Sequence, residues 1–84
     1  MKNKLFNLYH QYSLYLERMA LDERLMSDIQ KQQLKTTFMC SWGQCLLCLR
    51  EDVAEYEDDE AVNILEDMMN QVSNHILALD SRQN

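Results

Sequence analysis

Apolar residues recur every three or four positions in three stretches of this 84-residue chain, which is the period of an amphipathic α-helix. The first stretch, residues 2–20, places one set of large side chains on a single face: Leu5, Leu8, Tyr12, Tyr15, Leu16 and Met19. The third stretch, residues 59–79, does the same with Ala61, Leu65, Met68, Val72, His75, Ile76 and Leu79. Residues 80–84 have no apolar anchor, so we expect them to fray.

The second stretch, residues 28–55, carries two apolar faces. The broader face consists of Leu34, Phe38, Ser41, Trp42, Cys45, Cys48, Leu49 and Val53, and a second stripe consists of Ile29, Cys40, Leu47 and Ala54. A helix with two apolar stripes is expected to be covered by neighbours on both sides. Gly43 lies near the second stripe, where a missing side chain would let another helix approach closely; a kink or break at Gly43 is the alternative.

Two capping signals lie between the first and second stretches. Asp22 could cap an early start of the second helix, or Ser27 and Gln30 could form a capping box. We expect a short turn between residues 21 and 27. A single long, bent helix through this region is the alternative.

The chain has no proline and one glycine, residues that normally form hairpins and tight turns, and this argues strongly against a β-rich fold. The predicted fold is all-α: a small antiparallel three-helix bundle without a sheet, forming one domain over residues 1–84. A bundle this short has a small core, and its second helix has two apolar faces. Both features favour a homodimer.

The net charge of −6 is unevenly distributed. Residues 1–35 hold six basic and four acidic residues, a net charge of +2, whereas residues 36–84 hold two basic and ten acidic residues, a net charge of −8. We expect part of this asymmetry to be neutralised internally, and neither nucleic acid nor an anionic membrane to bind directly. The sequence also lacks an 18-residue apolar run and a signal-peptide pattern, so a cytoplasmic protein is expected.

The densest charge lies in residues 51–60, of which seven are acidic and none is basic. We call this segment the acidic run. Such density raises self-repulsion and suggests a basic partner, although the run could equally be a solvated corner that caps the third helix. The predicted partner-binding residues are Glu51, Asp52, Glu55, Tyr56, Glu57, Asp58, Asp59 and Glu60, with Tyr56 as an aromatic anchor.

Candidate chemistry is sparse elsewhere. Cys40, Cys45, Cys48 and His75 form the one plausible zinc set, but a continuous helix would keep Cys40 away from the other two cysteines. We expect the cysteines to act as small apolar residues in the core, and we expect neither a metal nor a cofactor. The C-x-x-C spacing of Cys45 and Cys48 falls inside a predicted helix, away from the helix N-terminus that activates redox thiols.

Two classes of function remain. The first is a small acidic helical binding module, not an enzyme, that inhibits or regulates a protein by occupying a basic surface, including one that otherwise binds nucleic acid. Small phage-encoded inhibitors and bacterial immunity proteins are analogous in size and charge alone. The second is a structural or adaptor bundle that acts through apolar self-assembly.

Overall fold

A computed structural model describes the backbone of residues 4–83 and the side chains of residues 4–79. It contains three α-helices: α1 (Leu8–Arg18), α2 (Asp28–Glu51) and α3 (Asp58–Gln83). Single 3₁₀ turns, Lys4–Phe6, Glu23–Leu25 and Val53–Glu55, precede them in order. No strand occurs in residues 4–83, so the predicted all-α class with three helices is confirmed. None of the helices in this range has the length and apolar character needed to cross a bilayer.

The first helix is shorter than the predicted 2–20. Asn7 is its N-cap, and the Asn7 Oδ1 accepts hydrogen bonds from the backbone N–H groups of Tyr9 and His10 at 2.9 and 3.2 Å. This cap separates the 3₁₀ turn Lys4–Phe6 from α1. Residues 2 and 3 of the predicted helix lie outside the described range.

The C-terminus of α1 is closed by a Schellman motif centred on Ala20. Ala20 has a φ of 54°, in the left-handed region that glycine usually occupies. The Leu21 N–H donates to the Leu16 carbonyl at 2.8 Å, and the Ala20 N–H donates to the Glu17 carbonyl at 3.1 Å. The helix therefore ends at Arg18, and the chain reverses without a glycine.

Both capping signals before α2 are used, each in its own turn. Asp22 Oδ1 accepts from the Arg24 N–H at 2.9 Å and caps the turn Glu23–Leu25. Ser27 Oγ accepts from the Gln30 N–H at 3.1 Å, and Gln30 Oε1 accepts from the Ser27 N–H at 2.9 Å. The predicted turn and capping box are confirmed, and the single bent helix is wrong.

The second helix runs without a break through Gly43 and ends at Glu51, four residues before the predicted end at residue 55. There the chain tightens into the turn Val53–Glu55, which buries the Val53 side chain to 7% exposure. A Cβ added at Gly43 would meet nothing within 4 Å. The expected close helix approach at Gly43 is therefore wrong, as is the alternative of a break in the helix.

The third helix begins at Asp58 and continues to Gln83, beyond the predicted 59–79. Residues 80–83 contain neither proline nor glycine, so nothing in the sequence ends the helix at residue 79. Of the tail predicted to fray, residue 84 and the side chains from residue 80 onward lie outside the described part of the chain.

Contacts divide the chain into two compact units, Met1–Cys45 and Leu46–Asn84. The core of the first unit is an aromatic cluster that joins α1 to α2. The Phe38 ring centroid lies 5.2 Å from the centroids of Tyr12 and Tyr15, and 6.2 Å from that of Trp42. Tyr12 is 3% exposed, and the Lys35 Nζ lies 5.8 Å from its ring centroid. The predicted stripe of α1 is thus confirmed at its centre, whereas Leu5 and Met19 at its ends are exposed.

The second unit has a smaller apolar centre. Val53 is its one buried side chain among residues 46–79. Half-buried side chains flank it at the end of α2 and along one face of α3: Cys48, Leu49, Ala61, Ile64 and Met68. The α3 face predicted to be buried is therefore wrong at most positions, because Leu65, Val72, His75, Ile76 and Leu79 are exposed.

The second apolar stripe of α2 is also uncovered. Ile29, Cys40, Leu47 and Ala54 are all exposed, so the expectation of neighbours on both sides of this helix is wrong. Cys45 is exposed as well, and the expected core role of the cysteines fails for Cys40 and Cys45. The single domain, the antiparallel arrangement of all three helices and the homodimer stay predictions.

Candidate partner-binding surface

The acidic run covers the corner between α2 and α3. Glu51 is the last residue of α2, and Asp52 precedes the turn Val53–Glu55. Tyr56 follows that turn, and its N–H donates to the Val53 carbonyl at 3.1 Å. The remaining acidic residues, Glu57, Asp58, Asp59 and Glu60, lie at the start of α3. All eight predicted binding residues therefore belong to one continuous segment of the second unit.

Every predicted binding residue is exposed. The reason is local: the turn directs Val53 inward, so the charged side chains on either side of it remain in water, where burial would cost them several kcal/mol each. Tyr56 is 52% exposed, which leaves much of its ring available for contact. The run thus presents an aromatic side chain among carboxylates.

One carboxylate of the run has a cationic partner. Glu51 Oε1 accepts from the Arg50 Nη2 at 2.7 Å and from the Arg50 Nε at 3.1 Å. Both side chains are largely exposed, so this pair is worth at most about 1 kcal/mol. The other six carboxylates have no ion-pair partner within the described part of the chain. Arg50 was missing from the predicted site, although its position directly before Glu51 was the available signal.

Part of the negative charge has a structural role. Asp58, Asp59 and Glu60 occupy the first turn of α3, where the free backbone N–H groups attract negative charge. Each such residue typically contributes about 0.3–1 kcal/mol at an exposed helix end. This accounts for three of the seven acidic residues, and Glu51, Asp52, Glu55 and Glu57 exceed what the helix end requires.

The charge imbalance follows the division into units. The first unit, residues 1–45, contains six basic and four acidic residues, and the second, residues 46–84, contains two basic and ten acidic residues. The three ion pairs of the described residues are all local, joining positions one to three apart: Asp22 with Arg24, Asp28 with Lys31, and Arg50 with Glu51. None of them neutralises the acidic run beyond Glu51.

The cysteines and histidines do not form a metal centre in this structure. No group of three or more His, Cys, Asp or Glu side chains among the described residues could hold a metal ion. All three cysteines are free thiols. Cys45 lies in the interior of α2, where no unpaired N–H groups are available to stabilise a thiolate.

Comparison with known proteins identifies no relative of this chain. No protein-family model matches the chain, and no similar protein was found among curated proteins or solved structures. The fold class and the acidic corner are therefore the evidence from which function can be argued.

Proposed function

We propose that this chain is a small, non-catalytic binding protein that inhibits or regulates a partner by occupying a basic surface. One observation carries the proposal: seven exposed carboxylates occur within ten residues, and six of them have no cationic partner in the described structure. A cytoplasmic location is part of the proposal, since three free thiols are typical of a reducing compartment.

The acidic run would act in two stages. Its charge attracts a basic surface over a distance comparable to the Debye length and raises the association rate. Tyr56 then provides apolar contact area and a hydroxyl group at a low cost in side-chain entropy, as tyrosine does at many binding hot spots. Charge would thus select the partner, and Tyr56 would hold it.

A basic surface that normally binds nucleic acid is the target class that fits best. Such surfaces are rich in Lys and Arg, and they depend on neutralising closely spaced negative charges. The acidic run would displace the nucleic acid and inhibit the partner, in the manner of the phage-encoded inhibitors and immunity proteins that share its size and charge.

The test is capture of partners by the immobilised protein from lysate of its native host, at low and at high salt. The test variant replaces Glu55, Glu57, Asp58, Asp59 and Glu60 with the corresponding amides. A matched control replaces five acidic residues outside the run, Glu17, Glu23, Asp28, Glu66 and Asp67, with amides, so both variants lose the same charge. Circular dichroism establishes that both remain helical.

We expect a basic, nucleic-acid-binding protein that is captured by the wild type and the control variant, lost by the test variant, and released by salt. Tyr56→Ala should weaken that capture at least tenfold, whereas Tyr9→Ala, which changes an exposed tyrosine of α1, should not. Equal loss in both five-residue variants would show that net charge alone matters and would contradict a role for this corner.

A second candidate function, a structural or adaptor module that acts through apolar contacts, is favoured by the exposed apolar side chains on α2, on α3 and in the turn Glu23–Leu25. Leu25 is 85% exposed, Leu47 46% and Leu77 61%. Such a module would tolerate the five amides and lose its partner when Leu47 or Leu77 is replaced by a polar residue.

A further inference from the structure

Helix α3 carries a row of large apolar side chains that are exposed in the described part of the chain. The row consists of Val62, Leu65, Met69, Val72, Ile76 and Leu79, and we call it the α3 seam. Its members are between 40% exposed, at Leu65, and 63% exposed, at Met69. The side chains that α3 half-buries within its own unit, Ala61, Ile64 and Met68, are not members of the seam. The seam is therefore additional to the face that packs in the chain itself.

The spacing of the seam identifies the kind of surface that it fits. Its intervals alternate between three and four residues without exception, which gives a seven-residue repeat. Val62, Met69 and Ile76 occupy one position of the repeat, and Leu65, Val72 and Leu79 the other. This is the pattern of the contact line in a coiled coil, where each side chain enters a gap between side chains of a facing helix.

A second copy of α3 that runs in the opposite direction can pair with every residue of the seam. In a twofold arrangement centred between Met69 and Val72, Val62 faces Leu79 of the second copy and Leu65 faces Ile76 of the second copy. Met69 then faces Val72 of the second copy. Each contact layer pairs one residue from each position of the repeat, so six layers form and every side chain of the seam has a partner.

Charge favours antiparallel over parallel pairing of the two α3 helices. Parallel pairing would place two acidic runs side by side, at a cost in repulsion. Antiparallel pairing separates them by nearly the length of α3, which is 26 residues or about 39 Å, several times the Debye length of about 8 Å. The same register places Asp59 beside residue 82 of the second copy, which is arginine and the one basic residue of the sequence 58–83.

Charge also argues against a basic helix as the occupant. Residues 62–79 contain two acidic side chains, Glu66 and Asp67, and the Asp67 Oδ2 already accepts a hydrogen bond from the Gln71 Nε2 at 2.9 Å. The seam thus offers little charge with which to recognise a basic partner, whereas its apolar layers are complementary to themselves.

We propose that the α3 seam is the interface of an antiparallel homodimer, which would carry one acidic run at each end. The six side chains from each copy would bury on the order of 1,000 Å² in total, near the lower end for specific interfaces, so we expect a dimer with a micromolar Kd. The proposal does not rest on the function proposed for the acidic run, because the two surfaces share no residue.

The first test is sedimentation equilibrium of the full chain at concentrations from about 1 to about 200 μM, a range that shifts a micromolar dimer by mass action. We expect the apparent mass to rise from 10.0 kDa to twice that value. Val72→Asp, in the middle of the seam, should raise the dimer Kd at least tenfold. Asn74→Asp, an exposed position outside the seam that also introduces one carboxylate, should change it less than twofold.

A second test examines direction without depending on a destabilising change. In a background with Cys40, Cys45 and Cys48 replaced by serine, Met69→Cys and Val72→Cys are made as separate proteins, mixed and oxidised. Antiparallel pairing predicts a disulfide between the two different proteins. A monomer at all concentrations, a dimer unaffected by Val72→Asp, a larger oligomer, or disulfides between identical proteins would each overturn the proposal.

Discussion

Ala20 has a left-handed backbone conformation, which glycine adopts more readily than alanine. The Cβ atom of an L-residue in the left-handed region costs about 1–2 kcal/mol, and this cost is accepted here because the Schellman hydrogen bonds of residues 20 and 21 close α1.

We therefore expect Ala20→Gly to raise the free energy of unfolding by about 1 kcal/mol, measured by urea denaturation followed by circular dichroism. The control is Ala78→Gly, which alters an exposed alanine inside α3 and should lower the free energy of unfolding by about 1 kcal/mol. A loss of stability in both variants would contradict the left-handed conformation of Ala20.

Tyr12 is buried, and its hydroxyl has no hydrogen-bond partner among the described residues. Burial, with smaller contributions from Glu23 and Tyr15, raises the pKa of Tyr12 above its ordinary value. An unpartnered buried polar group costs about 1–3 kcal/mol, so Tyr12→Phe should raise the free energy of unfolding by about 1 kcal/mol at neutral pH. A loss of stability in urea denaturation would show that the hydroxyl is satisfied.

The raised pKa of Tyr12 also makes the free energy of unfolding depend on pH. Folding favours the protonated form of Tyr12. The resulting contribution to the free energy of unfolding is complete below about pH 10, where a tyrosine of the unfolded chain ionises. This contribution is lost as the pH rises from there through the pKa of Tyr12 in the folded protein. Between about pH 8 and about pH 11, the wild type should lose more stability than Tyr12→Phe. Tyr9→Phe, at an exposed position, should behave like the wild type.

At the scale of the helices, Phe38 is the centre of the aromatic contacts between α1 and α2. Phe38 contacts Tyr12, Tyr15 and Trp42, so it links both helices of the first unit. Phe38→Ala should lower the free energy of unfolding by about 2–3 kcal/mol, somewhat less than for a fully buried phenylalanine. Phe6→Ala, at a 76% exposed position, should stay within about 0.5 kcal/mol of the wild type in the same denaturation experiment.

The sequence predicted the number of helices and the cap of α2, but not every helix end. Ser27 and Gln30 carry a signal that is complete within four residues. Asn7, in contrast, lies between Leu5 and Leu8, which continue the same apolar stripe, so the pattern hides the end of the first turn. The end of α1 was missed because Ala20 replaces the glycine that would have marked it.

The packed face of α3 could not be predicted for a different reason. The row through Ala61 and Met68 and the row through Val62 and Met69 are both apolar, and periodicity alone gives them equal weight. In the structure the half-buried side chains of α3 are Ala61, Ile64 and Met68, which is a tertiary outcome that the pattern does not encode. The acidic run was simpler to predict, because consecutive charged side chains remain in water whichever face of α3 packs.

For the whole molecule, the proposed dimer of the α3 seam would make the order of α3 depend on protein concentration. All side chains from residue 71 to residue 79 are exposed, so in the monomer this part of α3 gains little stability from tertiary packing, and isolated helical segments are marginal in water. We expect backbone amides in residues 71–79 to exchange hydrogen faster at about 1 μM than at about 200 μM protein. Amides of residues 12–16 in α1 serve as the internal reference, and equal exchange at both concentrations would contradict the coupling.

Trp42 is the one tryptophan of the chain, and it lies in the aromatic cluster of the first unit; three of the four tyrosines, Tyr9, Tyr12 and Tyr15, belong to the same unit. Indole fluorescence therefore reports on residues 1–45, whereas Tyr56 is the one intrinsic chromophore of the second unit. Tyr9 is 67% exposed and would be quenched as readily as the half-exposed Tyr56, so the measurement uses a protein that carries both Trp42→Phe and Tyr9→Phe. In that protein, selective excitation of tyrosine and quenching by added acrylamide would report mainly on Tyr56. A basic ligand that docks on the acidic corner would then be visible by optical titration of the unlabelled protein.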